Sequence, residues 1–300
     1  MIISVLDKKA GFFSMLFFSI NHYIYCKKNN VSFQLDTQNW LYKYKNGWTD
    51  YFKDINFKGI NEENRIEKVN HNSTLGDFNI HEYRDIILKE YYLYNDEIKQ
   101  IIKDTKNKWN LLEGTYDSIY IRHGDKLCAE SKYYPTEDYV LLLLEKNPLC
   151  KRIFVQTDDY NCIIDIKEFI QKNNLSIEII SFCDPTTKGV IAYETPLELK
   201  FHNCIIKGDE KHKEYFEKVL VDLQNTKPLD KMDNNEINKH TIDLLVGIDI
   251  VLNSNICILD KQSNVSKFIC IAHNQYKNVY DVRYPNDNIE MYWTMCPAFW

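Results

Sequence analysis

Apolar residues open the chain as a short continuous run over residues 1–6, return on nearly every face of residues 12–28, and recur over 31–35. That order predicts a strand, a helix packed back on the sheet and a second strand, with Gly11 as the tight turn between the first two. The stretch 11–26 follows Lys8 and Lys9 and has the outline of a membrane anchor. It is broken by Ser14, Ser19, Asn21 and His22, and it falls short of the ~20 apolar residues that a spanning helix needs. No small-residue cleavage site follows it, so the expectation is a buried core helix.

Helical spacing runs from 81 to 109, with Ile86, Ile87, Tyr91, Tyr94, Ile98, Ile101 and Ile102 in phase. A second set of elements begins at Ser118. It reads as strand 118–122, helix 136–146, strand 152–156, helix 162–172 and strand 177–182. Helices 215–224 and 241–252, strand 256–259, helix 265–272 and strand 279–283 follow. Continuous apolar strands alternating with helices are the mark of parallel sheets covered on both faces. The predicted class is α/β, with two Rossmann-like domains facing a cleft. Their expected extents are 1–115 and 116–275, with 276–300 crossing back to the first domain. Ligands of such sheets bind at the carboxyl ends of the strands, which directs attention to the residues just after each one.

Composition narrows the partners. The 300 residues carry 37 Lys and Arg against 43 Asp and Glu, a formal charge of −6, so bulk attraction to nucleic acid has no support. An anionic ligand would need a local cluster of cations. The nine cysteines are odd in number, scattered and without a C-x-x-C, which fits buried reduced thiols in a cytoplasmic setting rather than a disulfide scaffold. The chain also lacks D-x-D and H-E-x-x-H, so no dense set of metal ligands is legible.

The densest chemistry follows the strand at 118: Arg122, His123, Asp125, Lys126 and Glu130. A guanidinium fork and a mobile ammonium four residues apart suit a pyrophosphate leaving group, and Glu130 adds a carboxylate able to take a proton. A salt-bridged strand-to-helix loop is the plain alternative. The tripeptide Arg122-His123-Gly124 also resembles the R-H-G motif of histidine phosphatases, in which the histidine is phosphorylated. That family normally places the motif early and completes it with a downstream histidine followed by Asp or Glu. Here His202, His212, His240 and His273 precede Asn, Lys, Thr and Asn.

Three separated segments, in order, resemble the α1,6-fucosyltransferase group and its nodulation and protein O-fucosyltransferase relatives. Gln38-Asn39-Trp40, Tyr42, Gly47-Trp48 and Phe52 are similar to a Q-N-W-x-Y…G-W-x-x-x-F loop. Tyr120 to Lys126 with Glu130 is similar to H-V-R-R-T-D-K-x-x-x-E. Phe154 to Asp159 and Gln262 to Lys267 are similar to that group's A-T-D-D and S-S-x-V-x-R segments.

The resemblance implies a GT-B-like, inverting, metal-independent glycosyltransferase with GDP-fucose as co-substrate and a glycan or glycoprotein as acceptor. It implies that Arg122 and Lys126 hold the diphosphate and that Glu130 is the base. It adds Ser263 and Asn264, at the head of the helix bearing Lys267, as donor contacts. His123 and Gly124 stand where the group has Arg and Thr, and Tyr120 replaces a nucleotide-contacting His. A carboxylate is wanted for the guanine N1–H and N2–H pair, and both Asp249 and Asp243 are candidates. Gly11, Tyr42 and Asp159 complete the candidate donor-binding set. For Asp158 and Asp159 helix capping is the simpler role. Tyr42 and Trp48 either pack their loop or touch sugar or base, and the aromatic run 291–300 is expected to plug the core.

Overall fold

The computed structural model describes residues 1–7, 10–60, 67–69, 80–124, 133–191 and 226–287. The expected helix at 215–224 and the aromatic run 291–300 lie outside these residues. The chain divides into two compact units, Met1–Lys103 with Asp233–Leu244, and Asp104–Met232 with Leu245–Trp300. Described residues 276–287 cluster with the second unit.

In the first unit, β1 (Ile2–Val5) leads into α1 (Phe12–Asn29), and β2 (Phe33–Asp36) and β3 (Glu67–Val69) both pair with β1 in parallel, in the order β2-β1-β3. Helix α1 is apolar over most of its surface because most of it is enclosed, with Phe12, Met15, Phe17, Ile20, Ile24 and Cys26 at 3% exposure or less. Two of its polar residues are paired inside the core: His22 Nδ1 lies 2.8 Å from the Ser4 hydroxyl, and the Ser19 hydroxyl meets Tyr91. No helix among the described residues is long and apolar enough to cross a membrane.

The loop between β2 and β3 is an aromatic core. Trp40 packs on Phe12 with ring centroids 5.3 Å apart, and Trp48 stacks on Phe52 at 4.2 Å. Asp50 organises its backbone by accepting from the N–H groups of Tyr44, Lys45, Asn46 and Gly47 at 2.8–2.9 Å. Gly47 has φ +83°, and a Cβ there would collide with the Thr37 hydroxyl, so glycine is required. Asp50→Ala leaves these donors without their acceptor. We expect it to cost about 2–3 kcal/mol in urea unfolding, with Asp50→Asn milder because one acceptor oxygen remains.

The helical patterning expected from 81 to 109 is present but interrupted. Helix α2 (Ile80–Ile86) runs into a π-helical turn, Ile87–Tyr91, and α3 (Asp96–Trp109) starts afresh with Asn95 accepting from the Ile98 N–H at 2.9 Å. The break is tertiary in origin. Residues 92–95 extend to pair with 51–53, where Asn95 N–H donates to Tyr51 O, and Tyr94 stacks on Phe52.

The second unit contains β4 (Asp117–Ile121), α4 (Thr136–Lys146), β5 (Arg152–Thr157), α5 (Tyr160–Lys172) and β6 (Glu178–Ile180). They are followed by α6 (Asn234–Leu252), β7 (Cys257–Leu259), α7 (Asn264–Ala272) and β8 (Val279–Asp281). The five strands are parallel in the order β6-β5-β4-β7-β8. Every β4 residue is buried, as expected for the central strand of a sheet covered on both faces. Helix α6 starts two turns before the expected 241. Asp233 and Glu236 form a reciprocal capping box there, with the Glu236 N–H donating to Asp233 at 2.9 Å and the Asp233 N–H to Glu236 at 2.7 Å.

Candidate functional site

In the second unit the chain lays down β4, β5 and β6 to one side, then reverses and adds β7 and β8 on the other. The switch point therefore lies between β4 and β7, where doubly wound sheets open a crevice at the carboxyl ends of their strands. The residues following these two strands are Arg122 to Gly124 and Asp260 to Ser263.

Ile121 is paired with Thr157, so Arg122 comes level with Asp158 at the end of β5. The Arg122 guanidinium forms an ion pair with Asp158, and both side chains are 15% exposed or less. Arg122 also donates to the carbonyls of His123 at 3.2 Å and Val190 at 3.4 Å. The helix capping expected of Asp158 falls to Asp159, and Asp158 takes a different role. Its carboxylate accepts from the His123 N–H at 2.8 Å and the Val190 N–H at 3.1 Å, tying three strands of chain together. Gly124 has φ +55°, and a Cβ there would lie 2.6 Å from the Val190 carbonyl and 2.7 Å from the Asp158 carboxylate. This crowding explains glycine at a position where a threonine would not fit.

His123 turns inward. It is 3% exposed, and its Nδ1 faces Asp159 Oδ2 at 3.4 Å and Cys162 Sγ at 3.3 Å. A buried imidazole with that orientation does not suit a nucleophile that must reach a phosphate ester. Asp159 caps α5, accepting from the Asn161 N–H at 3.0 Å.

Across the switch point, Ser263 caps α7 and accepts from the Ser266 N–H at 3.0 Å, with Asn264 half-buried beside it at the helix start. Tyr120 is buried within β4, and burial pushes its phenol up to about 12 against the opposing pull of the Arg122 charge and the Ser263 hydroxyl. Arg122, His123, Tyr120 and Ser263 therefore gather at one end of the sheet.

Asp249 does not join them. Its carboxylate pairs with Lys106 at 2.5 Å and acts on Tyr116, the residue before β4. Helix α6 runs opposite to the strands it connects, so its last turns reach the amino-terminal edge of the sheet, away from the guanine contact expected of Asp249. Asp243 is exposed on the part of α6 that clusters with the first unit, and pairs with Lys239 at 3.2 Å. Tyr42 is buried, its hydroxyl accepting the Phe12 N–H at 3.1 Å, so it caps α1 and packs its loop. Gly11, expected as a tight turn, has ordinary extended dihedrals (φ −63°, ψ 159°) and open space around its Cα, so nothing there demands glycine. Lys126 and Glu130 lie outside the described residues.

The site also holds a cluster that the motifs did not flag. Asp260, just past β7, pairs with Arg283 at 3.1 Å, and Arg283 also grips Asp281 at 2.6 Å. Burial, aided by the Asp281 charge and opposed by Arg283, raises the Asp260 carboxyl from 3.8 to about 7. Folded Asp260 thus keeps a proton that the unfolded chain releases near pH 3.8. Its contribution to stability is full below that pH and is lost as pH rises through about 7. Urea unfolding across pH 4–7 should fall more steeply for the wild type than for Asp260→Asn, and parallel profiles would remove the assignment.

No protein-family model matches the chain, and no curated protein matches its sequence. Among solved structures it is similar to the fucosyltransferase NodZ from Bradyrhizobium, with a TM-score of 0.52 and 8% identity over 95% of this chain and 96% of that one. At that identity the similarity is one of fold: the chain is an α/β protein with parallel sheets, and its fold is similar to that of the NodZ structure.

Proposed function

We propose that the protein is a glycosyltransferase that transfers L-fucose from GDP-fucose to a hydroxyl of a glycan or glycoprotein acceptor, with inversion and without a metal in the transfer step. The observation that carries this reading is the position of Arg122. It stands at the carboxyl end of the central strand, at the sheet's switch point, beside the α7 amino terminus that Ser263 caps. A guanidinium and a helix amino terminus on one crevice are what a diphosphate needs.

As the carbon–oxygen bond to the diphosphate breaks, negative charge grows on the leaving oxygens. Arg122, with Lys126, stabilises it, while Glu130 takes the proton of the attacking hydroxyl. Arg122 is paired with Asp158, so a diphosphate bound there competes with that carboxylate for the guanidinium. The free buried cysteines Cys26, Cys150, Cys162, Cys257 and Cys270 support a cytoplasmic, reducing setting. The test is GDP release from a panel of GDP-sugars with and without acceptor glycans. Acceptor-dependent release with GDP-fucose is expected, and GDP binding without turnover on any acceptor would mark a non-catalytic binding module instead.

A further inference from the structure

Beside Arg122, three potential metal donors from two elements converge in the buried interior: His123 after β4, Asp159 at the cap of α5 and Cys162 in that helix's first turn. Their ligand atoms all lie within 4.8 Å of one another, and all three residues are 3% exposed or less. Nδ1 of His123 is the shared vertex, 3.4 Å from the Asp159 oxygen and 3.3 Å from the Cys162 sulfur. One ring nitrogen has either a proton or a lone pair. It can donate to the carboxylate or accept from the thiol, and a single proton cannot serve both contacts well.

One ion can. Tetrahedral zinc has Zn–S near 2.3 Å, Zn–N of about 2.0–2.1 Å and Zn–O of about 2.0–2.2 Å, which puts neighbouring N···O and N···S pairs at roughly 3.4 and 3.5 Å. The two distances from Nδ1 are close to these edges. We propose that His123, Asp159 and Cys162 form a zinc site with three protein ligands, a water completing the coordination. Binding displaces the Cys162 thiol proton to solvent, so the carboxylate, the thiolate and the dication sum to no net charge in the interior.

The donor set selects the metal. A thiolate with an imidazole suits zinc and disfavours magnesium and calcium, which take oxygen ligands. Hydrogen bonds around the three residues already limit their movement. Asp158 fixes the His123 backbone at 2.8 Å, and the Asn161 N–H at 3.0 Å holds the other Asp159 oxygen. The Cys162 N–H donates to the Asp159 carbonyl at 3.1 Å. The site is distinct from the proposed diphosphate contact. Its consequence is positional, since the ion would clamp the residue next to Arg122 onto the start of α5.

The probes are zinc and cobalt(II) on the purified full chain. Metal analysis after exhaustive dialysis should find equimolar zinc. Chelator-stripped protein should take up one equivalent of cobalt, with a thiolate-to-cobalt charge-transfer band and the intense visible bands of a four-coordinate ion. Cys162→Ser should lose the charge-transfer band, and His123→Gln should lose tight uptake. Where a variant fails to fold, X-ray absorption on the wild-type zinc protein should show one sulfur and three nitrogen or oxygen neighbours. Absence of retained zinc and of cobalt uptake in the wild type, a cobalt spectrum without the thiolate band, or a band that survives Cys162→Ser would each overturn the proposal.

Discussion

Arg122→Ala is expected to lower donor turnover by about 10²–10³ while the chain still folds, the usual effect of removing one preorganised charge from a developing oxyanion. The size follows from where the side chain sits. At 15% exposure on the carboxyl end of β4 its field is poorly screened, and β4 is buried along its whole length, so the guanidinium is anchored to a fully enclosed strand. The effect should fall on kcat/KM for the GDP-sugar, since alanine removes both the diphosphate contact and its strengthening in the transition state. Arg122→Lys keeps a charge but loses the bidentate fork, and should recover only part of the activity. Steady-state GDP release with a melting curve of each variant makes the check. Near-normal turnover in folded Arg122→Ala would remove Arg122 from the mechanism.

Asp158→Ala should be the most destabilising change around the site. One carboxylate serves the Arg122 guanidinium and the N–H groups of His123 and Val190. Its loss leaves a largely enclosed cation without a counter-charge and two backbone donors without an acceptor. Removing one partner of such a pair costs about 3–5 kcal/mol. Asp158→Asn retains an acceptor oxygen and should cost less. Urea unfolding of the three proteins decides it. A loss below about 1 kcal/mol for Asp158→Ala would mean that the pair behaves like an exposed ion pair.

Much of the second unit was legible because its strands are short apolar runs between helices of ordinary length. The registers of β4 with β5 and β7 then carry the chemistry to one edge. What the sequence concealed was set by distant contacts. The break at residues 92–95 depends on pairing with residues 51–53, forty positions earlier, and no local pattern announces it. The start of α6 was recoverable from the Asp233-x-x-Glu236 box, but Asn234, Asn235 and Asn238 obscure its helical character. At the site, Arg122 and Ser263 are read from motif and position. The binding of Asp158 to backbone around Arg122, and the Asp260–Arg283–Asp281 group, arise only when the ends of β4, β5, β7 and β8 come together. The pairing of Asp249 with Lys106 is not legible either, because residue type alone does not tell which end of a helix meets which edge of a sheet.

Sugar transfer centred on Arg122 is tested by following donor turnover and product together. Purified full-length protein is incubated with GDP-fucose and an arrayed set of glycan and glycoprotein acceptors, and GDP release and product mass are followed together. GDP release that requires an acceptor, a product heavier by one deoxyhexose, and loss of both in Arg122→Ala are the expected results. Hydrolysis of phosphate esters that disappears in His123→Ala, with no acceptor-dependent release from any GDP-sugar, would contradict this transfer.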